Sequence, residues 1–536
     1  MLTLNEQGLK DKKAWLDKGY TLPAFDREAM KRATRETPEW VHFGTGNIFR
    51  AFQCAAAQRL LEQGAMRTGI IAVEGFDYEI IEKGYRPCDD YSLLVTLKSD
   101  GQVDKTVIGS IAESLILNSD NDAEFGRLKD IFRSPALKLA TFTITEKGYS
   151  VRDSSGELLP AVAKDIADGP ERPHSYIGKV ASLLYARYIA GRLPMAMVST
   201  DNCSHNGEKL SAAIRVFAEG WADQGFIDYV KDESLVSFPW SMIDKITPRP
   251  DPTVEKMLRA DGLSGLDPVI TSKKTYIAPF VNAEESEYLV IEDAFPNGRP
   301  PLEKAGFIMT DRDTVNRVER MKVTTCLNPL HTALAVYGCL LGYTRISDEM
   351  KDEDLTTLVR MIGYREGLPV VTDPGVLDPK EFIDTVVGIR LPNPFMPDTP
   401  QRIACDTSQK IPIRFGETIK SYMADPDKDA SSLTAIPLAI AGWLRYLVGV
   451  DDNDEPMELS PDPMLTTLRE ILDGVVMGET QAASDAFIRL IRTCPECFGA
   501  DLKAAGLSDK VVSYAVEMLE GTGAVRRTLH RVLSQM

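Results

Sequence analysis

Basic charge is scarce in this sequence: 61 Lys and Arg face 79 Asp and Glu over 536 residues, a formal net charge of −18. A surface this acidic argues against nucleic acid and anionic membrane faces as partners. It also means that an anionic ligand must be met by a local basic cluster working against the overall field. Long apolar runs are missing too, and none is long enough to span a bilayer. The first residues, Met1 to Gln7, lack the basic start and apolar core of a signal peptide, so cytoplasmic residence is the expectation. The eight Cys are scattered through a chain large enough not to need staples, which predicts free thiols. Cys494 and Cys497 form one close pair without the second half of a zinc site, and no His and Cys spacing makes a recognisable ligand set, so no metal is expected. No internal repeat or long low-complexity segment is present. The acidic run Asp451 to Glu455 reads as a solvated loop.

What is present is an ordinary globular composition, 43% hydrophobic and 26% charged. At roughly 100–200 residues per domain the length allows two to four domains. The first part alternates strand-like and helix-like segments. Trp40 to Phe43, Ile70 to Val73, Leu139 to Ile144 and Met195 to Val198 read as strands. Leu93 to Leu97 and Thr106 to Gly109 flank Asp100-Gly101, a hairpin signal. Such interleaving predicts a mostly parallel sheet with helices on both faces. Pro296-Asn297-Gly298-Arg299-Pro300-Pro301 cannot continue an element and is read as the joint, which places one domain at 1–300 and a second at 301–536. The second is predominantly helical, with helices predicted over 330–341, 355–362, 382–387, 433–448, 464–476 and 482–491.

Several motifs carry chemistry. Gly44-Thr45-Gly46-Asn47-Ile48 follows the first strand and opens a helix, as a turn that cradles a pyrophosphate does. Phe49 stands where the common fingerprint has a third glycine. The next strand ends at Glu74, with Asp77 close behind. An acid there binds an adenosine ribose and repels a 2′-phosphate, which favours NAD; the sequence leaves Glu74 and Asp77 as alternatives. Asn202 follows a strand end, where it can bind a substrate hydroxyl or start an Asx turn. Asp244 lies among apolar residues and needs a partner, either Lys245 or a basic group in the site. Arg390, Arg402, Lys410 and Arg414, in a Pro-rich stretch, are the candidate basic cluster.

The run Met321 to His331 sets Lys322, Asn328 and His331 close together in an apolar stretch that opens a helix. Asn328 and His331 are three residues apart and share a helix face. An amine that moves a proton, beside two neutral hydrogen-bond donors, suits carbonyl–alcohol chemistry.

Together these stretches resemble the polyol-specific long-chain dehydrogenases, the family of mannitol dehydrogenase and the hexuronate reductases. Val41 to Ala51 looks like that family's cofactor turn. Thr145-Glu146-Lys147-Gly148-Tyr149 looks like its segment near the nicotinamide, with Thr145 and Glu146 at the cofactor. Asp201-Asn202 with Asn206-Gly207, Phe238 to Pro248, Asn328-x-x-His331, and Arg402 with Lys410 match further signatures. The resemblance implies an α/β chain with a Rossmann-type N-terminal domain and a mainly α-helical C-terminal domain, with substrate in the cleft between them. It implies NAD as cofactor, a small-molecule sugar acid or polyol as substrate, no metal, and a monomer or weak homo-oligomer. Lys322 would be the acid/base, Asn328 and His331 would polarise the carbonyl, and Asn202, Asp244, Arg402 and Lys410 would orient the substrate. The implied reaction is fructuronate–mannonate interconversion. Tagaturonate reductase, a mannitol- or arabinitol-type dehydrogenase, and a non-catalytic sugar-acid sensor are the alternatives. One departure stands out. The family has four residues between the Lys and the Asn, and here Val323 to Leu327 make five. On a helix the extra residue turns Lys322 away by ~100° unless a bulge absorbs it.

Overall fold

The computed structural model describes residues 1–535. The chain divides into two compact units, Met1–Asn316 and Arg317–Met536. Where the sequence places the joint at 300/301, the division falls later. The strand Ile308–Thr310 follows the Pro-rich stretch and pairs in parallel with Tyr288–Glu292, which ties it to the first unit.

The first unit is built on a six-stranded sheet of β1 (Trp40–Phe43), β2 (Ile70–Glu74), β3 (Ile111–Ile116), β4 (Leu139–Phe142), β5 (Met195–Ser199) and β6 (Val236–Ser237). Its order is β6-β5-β4-β1-β2-β3 and every neighbour is parallel. This is the doubly wound order that opens a ligand crevice between β1 and β4, where the winding reverses. Both faces are covered, as parallel sheets require. Trp40 and Ile70 point into one core with Phe49, Phe52 and Leu60. Val41, Phe43, Ile71 and Val73 point into the other with Phe132, Leu183 and Phe217. Burying each such side chain contributes roughly 1.5–3 kcal/mol. After β1 the chain enters a helix through a π-helical turn, Phe49–Gln53, that runs on into α1 (Cys54–Glu62). Gly64, with φ +65°, follows the end of α1. The hairpin read around Asp100-Gly101 is formed by Ser92–Leu97 and Val103–Ile108.

The second unit is helical. Its centre is α2 (Asn328–Leu340) and α3 (Ala435–Tyr446), both almost wholly buried. They approach closely at Gly442, where a Cβ would lie 2.8 Å from the Tyr337 ring, and the Tyr337 hydroxyl donates to the Leu438 carbonyl at 2.8 Å. The Glu366 carboxylate accepts from the amides of Thr434, Ala435 and Ile436 at 2.6–2.7 Å and so caps α3. The acidic run is not wholly a solvated loop. Asp452 is buried, and its carboxylate accepts from the Val525 and Arg526 amides, capping the helix Ala524–Leu533. Among the described residues no helix is long and apolar enough to cross a membrane.

Glu349 is buried against α2. Neither carboxyl oxygen has a hydrogen-bond partner among the described residues, and a Cβ on Gly338 would lie 2.2 Å from Oε1. Burial, and then the charge of Asp352, push its pKa up to about 10. Below the unfolded value near 4.5 the group is neutral in both states and stability does not depend on pH through it. Above it only the unfolded chain ionises freely, so stability falls as pH rises from there toward 10. Glu349→Gln is expected to remove that slope and to stabilise the protein at pH 7 by up to about 3 kcal/mol. Urea unfolding of both proteins at pH 4.5 and pH 7 measures it; equal pH dependence would refute it.

Candidate active site

The crevice of the first unit is lined by the turns that leave β1 and β4. Gly44 takes φ +97°, and a Cβ there would lie 2.1 Å from the Thr143 carbonyl oxygen, so only glycine fits. Gly46 is exposed and faces open space at the start of the helix, which leaves bare backbone at a helix N-terminus. Asn47 accepts from the buried Arg50 guanidinium at 2.9 Å, and Ile48 is half-buried beside it.

Glu74, at the end of β2, turns inward. Its Oε2 accepts from the Thr45 amide at 3.1 Å and the Thr45 hydroxyl at 2.7 Å, and its Oε1 accepts from the Phe76 and Asp77 amides at 2.8 and 3.1 Å. Asp77 is 1% exposed and accepts from the Thr271 hydroxyl at 2.5 Å. Both acids therefore hold the loop that follows the second strand.

Opposite, Thr145 has φ +62°, a conformation that a β-branched residue rarely takes. The Asp201 carboxylate holds it there, accepting from the Ile144 and Thr145 amides at 2.9 Å each and from the Tyr149 hydroxyl at 2.5 Å. Sequence reading singled out Asn202, which is exposed, and passed over its neighbour Asp201, which organises the turn. Glu146 is exposed and ion-paired with Lys209. Asn206 clasps Ser241 with its carboxamide, and Gly207 lets the helix Asn206–Gly220 pack on the Phe238 carbonyl. Asp244 is the buried last residue of the strand Ser241–Asp244. The neighbouring Lys245 ammonium is ion-paired with Glu287 at 2.9 Å.

In the second unit Lys322, Asn328 and His331 lie on consecutive turns. Lys322–Cys326 is a π turn, closed by the Leu327 amide donating to the Lys322 carbonyl five residues back at 3.1 Å. The extra residue before Asn328 is thus taken up inside the helix, as a π turn does. Leu327 then leaves helical conformation, and Pro329 in the first turn helps start α2. Lys322 is 5% exposed. The Asn328 carbonyl accepts from the Thr332 hydroxyl at 3.0 Å.

His331 is largely buried. Its Nε2 lies 3.6 Å from Asp398 Oδ2, too far for a hydrogen bond, and has no hydrogen-bond partner among the described residues. Burial lowers its pKa to about 4; Asp398 opposes this, and Arg414, Arg402 and Arg390 reinforce it. The ring is therefore neutral near pH 7. Arg402 is ion-paired with Asp398, Lys410 donates to the Ile403 carbonyl at 2.9 Å, and Arg414 donates to the Thr332 hydroxyl at 2.6 Å. Burial, and then the charge of Arg414, hold the Lys410 ammonium below its usual range. Burial brings Arg414 down to about 10. Arg414, Arg402 and Arg390 all act on the His331 ring, and Arg414 and Arg402 act on Lys410. Asp398, which faces both His331 and Arg402, was not read from the sequence, since a lone acid among prolines carries no signal.

The profile of the mannitol dehydrogenase Rossmann domain matches residues 38–304, and that of the mannitol dehydrogenase C-terminal domain matches 314–517. The chain belongs to the mannitol dehydrogenase family. It is an oxidoreductase of that family, with the Rossmann-type first unit and helical second unit that the motifs implied. A D-mannonate oxidoreductase of Thermotoga maritima is 50% identical, covering 100% of this chain and 99% of that protein. Among solved structures, a substrate-free D-sorbitol dehydrogenase superposes with a TM-score of 0.79 at 26% identity, covering 98% of this chain and 100% of that one. Pseudomonas fluorescens mannitol 2-dehydrogenase, solved as a ternary complex with NAD and D-mannitol, gives 0.68 at 28% identity over 100% of both chains.

Proposed function

We propose that this enzyme interconverts D-fructuronate and D-mannonate with NAD. The observation that carries the substrate class is the crowding of Arg390, Arg402, Lys410 and Arg414 around a neutral His331 in a chain whose net charge is −18. Burial, and then Arg414 and Arg402, hold the Lys410 ammonium below its usual range, so that cation gains from an anionic ligand, and a hexuronate carboxylate supplies one. The 50% identity to a D-mannonate oxidoreductase supports the same substrate. The turn at Gly44-Thr45-Gly46 fits a dinucleotide: a glycine forced to positive φ, open backbone at Gly46 and a helix N-terminus at the winding reversal of the sheet. Gly44 to Ile48 would hold the pyrophosphate, Glu74 or Asp77 the adenosine ribose, and Thr145 with Glu146 the nicotinamide side. The nicotinamide, when bound, supplies the hydride.

In this reading Lys322 gives a proton to the nascent hydroxyl in ketone reduction and takes it back in oxidation. Asn328 and the unpartnered Nε2 of His331, in the tautomer that carries its hydrogen there, donate to the substrate oxygen and hold the charge that develops there. Arg402 and Lys410 receive the carboxylate, while Asn202 and Asp244 orient hydroxyls.

NADH oxidation with fructuronate, tagaturonate and fructose tests the proposal. Fructuronate is expected to give the highest kcat/KM, and preferential reduction of fructose would overturn it. The neutral ring of His331 also sets a pH limit. Any limb that this ring contributes to kcat/KM for reduction is therefore expected near pH 4 and not near 6.5. Arg414→Gln removes a cation that holds the ring neutral, so the acid limb should move to higher pH. A pH–rate profile of both proteins reads the shift, and a limb near 6.5 in the wild type would count against a buried, neutral His331.

A further inference from the structure

His42 is absent from every role assigned so far, yet it lies on β1 directly beneath the Gly44 turn and is fully buried. Its ring is bonded at both nitrogens. Nδ1 lies 2.7 Å from the Thr141 hydroxyl and Nε2 lies 2.8 Å from the Thr143 hydroxyl. The two hydroxyls decide which way these bonds run. Thr143 has one proton and gives it to the Gly44 carbonyl at 3.0 Å, so toward His42 it can only accept, and Nε2 must carry a hydrogen. Thr141 accepts from the Trp40 indole N–H at 2.8 Å, which leaves its own proton free for His42 Nδ1. The polar chain therefore runs one way: Trp40 Nε1–H to Thr141, Thr141 to His42 Nδ1, His42 Nε2–H to Thr143, Thr143 to the Gly44 carbonyl. One tautomer of neutral histidine satisfies every link. Burial, against an opposing pull from the Gly44 backbone, lowers the ring's pKa to about 3, so it stays neutral at working pH.

The end of the chain is a functional atom. The Gly44 carbonyl and the Thr45 amide belong to one peptide plane. Thr143 holds the carbonyl side, and Glu74 holds the amide side at 3.1 Å. Fixing both edges fixes the rotation of the plane that leads into Gly46 and the helix N-terminus. The face of the His42 ring also stacks on Phe49 in that helix's π turn, with centroids 4.1 Å apart and planes 7° apart. His42 thus touches the turn through Thr143 and the helix through Phe49.

We propose that His42 is a positioning residue for the dinucleotide, acting through Thr143 to set the Gly44–Thr45 peptide plane. This rests on the dinucleotide reading of the Gly44–Gly46 turn. Thr143→Val keeps the side-chain shape and breaks the last link. The Kd for NADH, measured by fluorescence titration, is expected to rise about tenfold, the size of one net hydrogen bond, with the KM for the sugar acid unchanged. Thr143→Ser keeps the hydroxyl and is expected to restore the affinity. In the ¹⁵N-histidine spectrum of the wild-type chain, His42 is expected to show protonated Nε2 and unprotonated Nδ1 without titrating within about two pH units of neutrality. An unchanged Kd in Thr143→Val, or a His42 ring that titrates in that window or carries its hydrogen on Nδ1, would overturn the proposal. Failure of the wild-type chain to bind NADH would instead overturn the dinucleotide reading, and the proposal with it.

Discussion

Lys322→Ala is expected to lower kcat for ketone reduction by about 10²–10⁴-fold, the usual contribution of a positioned proton donor. Lys322 is 5% exposed in the π turn that precedes Asn328 and His331, so the amine is placed by the helix and not by a mobile loop. Removing it leaves Asn328 and His331 in place to bind the substrate oxygen, and the loss should fall on kcat with little change in KM. NADH affinity should change little, because in this reading the Gly44–Gly46 turn holds the pyrophosphate and Lys322 acts on the substrate oxygen. Lys322→Arg should fail to rescue, since a guanidinium does not give up its proton at neutral pH. Steady-state kinetics in both directions measure this. Wild-type kcat in Lys322→Ala would remove Lys322 from the chemistry.

Replacing both Arg402 and Lys410, as Arg402→Ala with Lys410→Met, is expected to cut kcat/KM for fructuronate by about 10²–10⁴-fold, because two charge-assisted contacts of roughly 1.5–3 kcal/mol each are lost. Fructose, which has no carboxylate, should lose much less, so the ratio of the two substrates is the sensitive readout. Arg402 is the more exposed of the pair, and its ion pair with Asp398 keeps it oriented. Lys410 is half-buried and sits under the charge of Arg414. The loss on fructuronate is expected mainly in KM. Equal losses on fructuronate and fructose would mean that the cluster supports the helices and does not read a carboxylate.

Much of this was legible in the sequence wherever one residue's identity dictates local geometry. Trp40–Phe43 read as a strand to the residue, and Gly44 announced the turn because a positive φ needs glycine. Asn328 and His331 could be placed on one helix face from spacing alone. What stayed hidden depends on partners far away in the chain. Glu74 bonds back to Thr45 across the turn, Asp201 holds Thr145, and Asp398 meets His331, and no local pattern encodes any of these. The strand Ile111–Ile116 was missed because it follows the hairpin after only Gly109-Ser110 and carries Glu113 and Ser114 in its middle. The compact units divide later than the prolines, after Asn316, because prolines end an element without ending a domain.

The π turns have a consequence for how this chain can change. Lys322, Arg390 and Arg414 each sit in one, Lys322–Cys326, Val386–Arg390 and Pro412–Gly416. A residue gained or lost in a loop alters the reach of that loop. A residue gained or lost in these turns alters direction instead: the side chains on one side of it swing around the helix axis, while both ends of the helix stay where their packing holds them. Selection at such a place acts on the aim of a charged group more than on the length of the chain.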